Sequence, residues 1–231
     1  MREDKENFEE DYFPFPEKDF RETFQWRIFR IMAEFVEGFQ FVADFDRSVS
    51  FFGSSRFSED NPHYKKARKL AELLTKKDYA VVTGGGPGIM EAANRGAYEN
   101  GGDSIGINIQ LHDEGEKAND YLGKSVGFHY FFTRKVMLSF ASYGYVFFPG
   151  GFGTLDELFE MLTMIQTKKL PQPVTIVAVG EDYWKPLIDW FEKTLMEDYE
   201  TISKKDLDLV KIVDTPEEAL KVIEEGEPLK R

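Results

Sequence analysis

Residues 145–157 read Tyr145-Val146-Phe147-Phe148-Pro149-Gly150-Gly151-Phe152-Gly153-Thr154-Leu155-Asp156-Glu157. Four apolar residues run without alternation into a proline–glycine turn, and a helix-forming segment follows. An apolar run of that kind is a strand buried on both faces, which a parallel sheet between two helical layers provides. The run Tyr79–Thr83 followed by Gly84-Gly85-Gly86-Pro87-Gly88 and then a helix over Ile89–Asn100 repeats the arrangement, with Gly101-Gly102 as the helix stop.

Outward from these two junctions, strands and helices alternate. Further strands are expected at Ser48–Phe52, Ser104–Ile109, Val126–Phe131, Val174–Val179 and Leu209–Val213. Helices are expected at Pro62–Lys77, Thr133–Tyr143 with Thr133 as N-cap, Leu155–Lys168, Tyr183–Met196 and Pro216–Glu225. Such alternation predicts an α/β, Rossmann-like, doubly wound parallel sheet that binds its ligand at the carboxyl ends of the strands. Ahead of it, residues 1–16 are charged and carry Pro14 and Pro16. Between Lys18 and Val42, Phe20, Phe24, Ile28, Met32, Phe35 and Phe39 recur every three or four residues, with Ile31 and Val36 beside them. That is an amphipathic helix, packed either on its own domain or in a dimer interface. The chain thus divides into an N-terminal arm and helix, 1–44, and a nucleotide-binding domain, 45–231.

With 231 residues and 42% hydrophobic side chains, the chain suits one α/β domain with a full core. It has no cysteine and only three histidines, His63, His112 and His129, so disulfides, a cysteine nucleophile and a thiolate or histidine metal centre are not expected. A formal net charge of −13 argues against nucleic acid as a partner. No apolar run approaches membrane-spanning length, and the acidic first residues do not read as a signal peptide, so a cytoplasmic protein with no membrane partner is expected.

Any anion site in so acidic a chain must be built from a few cations and helix N-termini. The two glycine clusters sit where such a site belongs. Glycine lets a ligand approach the backbone closely, and Thr154 adds a hydroxyl beside a helix start. Neither cluster fits a dinucleotide fingerprint, because Ile89 stands where a third glycine is required, and neither carries the lysine-hydroxyl ending of a P-loop. Arg134 and Lys135 open a helix, where cations are unfavourable unless an anion faces them. Glu157 is read as lying in the first turn of its helix, where dipole electrostatics alone would account for it.

The segments Gly84–Ala92, Thr133-Arg134-Lys135 and Pro149–Glu157 resemble the Lonely Guy (LOG) family of cytokinin-activating nucleoside 5′-monophosphate phosphoribohydrolases. The resemblance spans about residues 45–225, and the extra N-terminal helix and Tyr183-Trp184 are similar to a longer bacterial branch. It implies Arg134 and Glu157 as catalytic residues. As substrate-binding residues it implies Lys135, Gly150, Gly151, Phe152, Gly153, Thr154 and Thr163, joined at the neighbouring strand ends by Gly53, Ser54, Gly84, Gly85, Gly86 and Met90. An acidic residue of the preceding loop belongs to the family site. Glu114, Glu116 and Asn119 are the candidates here. The resemblance further implies hydrolysis of the N-glycosidic bond of a nucleoside 5′-monophosphate such as AMP, no cofactor, no metal, and a homodimer or higher homo-oligomer. The alternative is a non-catalytic nucleotide-binding or sensing protein on the same fold. Relatives of this kind also carry the label lysine decarboxylase, for which the sequence offers no pyridoxal phosphate constellation.

Overall fold

The computed structural model describes residues 20–45, 47–109, 118–170 and 174–226, with side chains from Trp26 onward. Helix α1, Phe20–Val42, leads into β1, Ser48–Phe52. Then follow α2 (Pro62–Thr75), β2 (Ala80–Thr83), α3 (Ile89–Tyr98), β3 (Ser104–Ile109), β4 (Lys124–Phe128) and α4 (Phe131–Phe140). The second half comprises β5 (Gly144–Phe147), α5 (Phe152–Gln166), β6 (Thr175–Val179), α6 (Glu181–Trp190), α7 (Lys204–Leu207), β7 (Val210–Val213) and α8 (Pro216–Gly226). Beyond Trp190, α6 continues as a π-helical stretch over Phe191–Asp198.

The seven strands form one sheet in the order β4-β3-β2-β1-β5-β6-β7, every pair parallel. This is the expected doubly wound architecture. Successive strand residues point to opposite faces, so the sheet has two cores. Val49 and Phe51 face α2, α3 and α8, packing with Leu70, Leu74, Ile89 and Ile223. Phe52, Val82 and Ile107 face the other layer, with Met137, Leu158 and Trp184. Each such buried side chain contributes about 1.5–3 kcal/mol over leaving it in water.

Strand order reverses beside β1. From β1 the chain steps through β2 and β3 to β4, then returns through α4 to lay β5 on the opposite side of β1, with Val49 opposite Gly144. A crevice opens at such a reversal, outside the carboxyl ends of the two strands. Its floor is tied by backbone bonds from Phe148 N–H to Phe52 O at 2.8 Å and from Ser54 N–H to Pro149 O at 3.0 Å.

Two helices differ from expectation. The α1 face toward the domain carries Glu34, Phe35, Gly38, Phe41 and Val42, while Ile28, Met32 and Val36 of the anticipated stripe point outward and Phe39 lies half-exposed at the edge, against Phe140. The side chains of Phe20 and Phe24 fall outside the described residues. Helix α4 starts two residues early, with Tyr130 at its N-cap position, so Thr133 lies inside the first turn and is not the cap. No helix among the described residues is long and apolar enough to cross a membrane.

Candidate active site

The crevice at the strand reversal is a cleft of about 800 Å³. Its walls come from the segment after β1 (Gly53–Phe57), from Gly84 and Met90, from Phe131 and Arg134 of α4, from the turn Pro149–Gly151 and from Phe152–Thr154 and Glu157 of α5.

Helix α5 begins directly after the glycine pair. Gly151 stands at the N-cap position in extended backbone with no side-chain cap, and the first intrahelical bond is Leu155 N–H to Gly151 O at 3.1 Å. The amides of Phe152, Gly153 and Thr154 therefore precede the helix ladder and carry its positive dipole end, which suits an anion. A Cβ placed on Gly151 or on Gly153 would meet nothing within 4 Å. The turn is also held from the cleft wall, where the Tyr183 hydroxyl donates to Gly150 O at 2.6 Å.

The first glycine cluster is different in kind. A Cβ on Gly84 would overlap Arg134 Nη2 and stand 2.9 Å from Met90 Sδ, and one on Gly85, at φ +78°, would overlap Asn108 Oδ1. Here the missing side chains make room for the protein's own atoms. A polar network fixes the turn: Gly85 N–H donates to Thr83 Oγ1 at 2.8 Å, and Thr83 donates to buried Asn94 at 2.6 Å. Asn119 Nδ2 donates to Gly85 O, Gly86 O and Asn94 Oδ1 at 3.1, 3.0 and 3.0 Å. Of the three loop candidates, Asn119 thus braces the glycine turn, while Glu114 and Glu116 lie outside the described residues. Gly84 and Met90 line the cleft, and Gly85 and Gly86 do not.

Arg134 is brought to the cleft with its side chain anchored, Nε donating to Ile107 O at 3.1 Å. Glu157 is the sixth residue of α5, so it lies in the second turn and helix-start electrostatics does not explain it. It is 8% exposed. Burial pushes its carboxyl above the usual carboxylate range, with Lys135 and Arg134 pulling the other way. Among the described residues, Arg134 and Glu157 line one cleft together with Gly53, Ser54 and the Gly150–Thr154 turn.

Lys135 and Thr163 stand elsewhere. The Lys135 ammonium pairs with Asp156 and lies 3.3 Å from Glu160, which clamps α4 to α5. Thr163 is nine residues beyond Thr154, so at 100° per residue it projects from the opposite side of α5. It is exposed, and its hydroxyl donates to Phe159 O. The chemistry of a pyridoxal phosphate enzyme has no counterpart among the described residues. None of their lysines lines the cleft, and although burial lowers the Lys135 pKa, its ion partners Asp156 and Glu160 raise it overall, whereas a Schiff-base lysine needs it lowered.

Sequence reasoning gave no role to Asn94, Tyr183 or Glu34. Asn94 acts on the side chains of Thr83, Ser104 and Asn119, and Tyr183 on a backbone carbonyl, and only the fold brings these partners near. Glu34 is one of three glutamates in a phenylalanine-rich helix, beside Glu22 and Glu37, so no signal in the spacing singled it out.

The model of a family described as "Possible lysine decarboxylase" matches residues 90–223. The cytokinin riboside 5′-monophosphate phosphoribohydrolase LOG3 of Arabidopsis thaliana is 27% identical over 80% of this chain and 84% of its own. The probable phosphoribohydrolase LOGL2 of Oryza sativa subsp. japonica is 25% identical over 79% of this chain and 74% of its own. Among solved structures, the protein TM1055 is 26% identical with a TM-score of 0.57, covering 78% of this chain and 99% of its own. The molybdenum cofactor carrier protein of Chlamydomonas reinhardtii shares the fold at 17% identity, with a TM-score of 0.56 over 78% of this chain and 96% of its own. By the match over residues 90–223, the chain belongs to the family described as "Possible lysine decarboxylase", that of the LOG proteins.

Proposed function

We propose that the protein is a phosphoribohydrolase that cleaves the N-glycosidic bond of a nucleoside 5′-monophosphate, AMP or a cytokinin riboside monophosphate, releasing the free base and ribose 5-phosphate. The observation that carries the proposal is the single cleft lined by an open, amide-rich helix start, a buried carboxylate and an anchored guanidinium. The relatives named as cytokinin riboside 5′-monophosphate phosphoribohydrolases support the reaction class.

In this reading the amides of Phe152–Thr154 hold the 5′-phosphate, and that remote grip positions C1′. Rupture of the glycosidic bond builds positive charge on the ribose, as in glycoside cleavage. The Glu157 carboxylate stabilises that charge and accepts a proton from the attacking water as the water oxygen bonds to C1′. The departing base nitrogen takes a proton from solvent as the C1′–N bond breaks, and Glu157 returns its own to solvent. The raised pKa of Glu157 makes it a better base. Arg134 stays a cation throughout and stabilises negative charge rather than donating a proton. Lys135 contributes by fixing α5 against α4. The homo-oligomer expected from the family belongs to the same proposal, supported by the apolar residues Trp26, Phe29, Met32 and Val36 that α1 leaves exposed.

The test is chromatographic detection of free base from a panel of nucleoside monophosphates. Glu157→Gln is expected to lower turnover by roughly 10²–10⁴, the scale of a positioned acid–base group, while AMP still binds. Thermal stabilisation by AMP with no base released by the unaltered protein, or near-normal turnover in Glu157→Gln, refutes the reading.

A further inference from the structure

Helix α4 carries Arg134, yet its own sequence does little to secure its start. Tyr130 at the N-cap has no side chain able to accept from the first amides, and the first turn holds no acidic residue. What holds the chain here comes from a helix almost a hundred residues earlier, and it takes the amides of the two residues that lead into α4 rather than those of its first turn. Glu34 of α1 is 8% exposed. Its carboxylate accepts from His129 N–H at 2.9 Å, Tyr130 N–H at 3.3 Å and the Thr133 hydroxyl at 2.6 Å. A buried carboxylate is tolerated only when its oxygens are satisfied, and here three donors and the positive end of α4 satisfy them. Contact continues one turn on, where a Cβ on Gly38 would stand 2.5 Å from Met137 Sδ, and then where Phe39 meets Phe140 edge-on at 6.0 Å. The two helices therefore run side by side in one direction, with Glu34 at the start of α4.

Residue Tyr130 links this hold to the cleft. Its N–H rests on Glu34, and its carbonyl accepts the Arg134 N–H at 3.2 Å. Arg134 then reaches across to Ile107 O and lies over Gly84. A first turn of α4 that unwinds or slides moves Arg134 with it.

We propose that Glu34 is a positioning residue for Arg134: through its hold on the chain entering α4 and on the Thr133 hydroxyl, the N-terminal helix sets where the guanidinium stands in the cleft. The kinetic part rests on the phosphoribohydrolase reading, and the geometric part does not. If Glu34 served only to dock α1, its loss would lower stability and leave the folded site as it is.

Two measurements separate these cases. In the first, the Arg134 Nε–H resonance, assigned by its disappearance in Arg134→Lys, is followed in ¹⁵N spectra of the full chain. Glu34→Gln is expected to shift it and speed its exchange, together with the His129 and Tyr130 amides, while amides of β1 and β5 keep their protection. In the second, base release from AMP is measured in a double-mutant cycle. Glu34→Gln is expected to lower kcat by roughly 10–100-fold with KM changed less than about 3-fold, the scale of a misplaced group. In the Arg134→Lys background the same change is expected to have little further effect. Thr133→Val removes one donor and is expected to act in the same direction more weakly, which covers the case in which Glu34→Gln does not fold. An unmoved Arg134 resonance, or an equal loss of kcat in both backgrounds, overturns the proposal. If no nucleotide is cleaved by the unaltered protein, the hydrolase reading fails and the resonance measurement still decides the role of Glu34.

Discussion

Gly153→Ala separates a turn glycine from a ligand-approach glycine. Gly153 is the second residue of α5 and lines the cleft, and an added methyl meets nothing within 4 Å. In the protein alone the substitution relieves the entropic cost of glycine in a helix, worth roughly 0.5–1 kcal/mol. At about 2–4 °C per kcal/mol for a chain of this size, melting should rise by about 1–4 °C. A phosphate seated on the first-turn amides must come within hydrogen-bonding distance of the backbone, and the methyl intrudes on that approach. Loss of one charge-assisted bond costs about 1.5–3 kcal/mol, a roughly 10- to 150-fold weakening. Calorimetric titration with AMP and with ribose 5-phosphate, beside melting curves, reads both effects. Both ligands should weaken together, since they share the phosphate. A variant that melts higher and binds both with unchanged affinity refutes an anion site at the start of α5.

Two further outcomes follow from the same geometry. Gly84→Ala drives a methyl into Arg134, whose Nε is tethered to Ile107 O. The guanidinium must retreat by about 1 Å, so turnover should fall roughly 10²-fold, with about 1–3 kcal/mol of stability lost to overpacking. Kinetics and denaturant titration check it. The raised pKa of Glu157 means that the folded state holds this proton more tightly than the unfolded chain does. Stability therefore falls as pH rises from the unfolded pKa to the folded one, and the penalty stays constant above it. Glu157→Gln lacks the penalty, so it should melt above the unaltered protein at about pH 8, with the gap closing toward about pH 4. Melting curves across that range check it, and an inverted gap contradicts the assigned direction.

The alternation of buried strands with helices was legible because a continuous apolar run as short as Tyr145–Phe148, closed by a proline–glycine turn, suits little except a strand covered on both faces. Helix starts were less so. Phe131 and Phe132 carry no local sign that a helix begins there, because the group that holds the chain leading into it, Glu34 on the His129 and Tyr130 amides, is remote in sequence. The two glycine clusters look alike as text. What distinguishes them is what stands opposite each missing methyl: Arg134 at Gly84 and Asn108 at Gly85 in the first, and in the second Thr154 at Gly150 but open space at Gly151 and Gly153. The inward face of α1 was hidden for a related reason. Aromatic residues cover much of its circumference, so spacing alone does not select a side. The close approach at Gly38, on which the docking turns, depends on Met137 and Phe128, about a hundred residues away.

The placement of β1 at the centre of the sheet has a consequence for synthesis. Its partner β2 emerges soon after it, but its other neighbour, β5, follows only after roughly ninety more residues, and distant pairings are slow to form. A nascent chain that has just released α4 already owns Arg134 and lacks the opposing wall altogether. Glu157 follows β5 in the chain, with α5. On the phosphoribohydrolase reading, a product terminated before α5 is therefore chemically silent, and activity waits until both halves of the polypeptide have met.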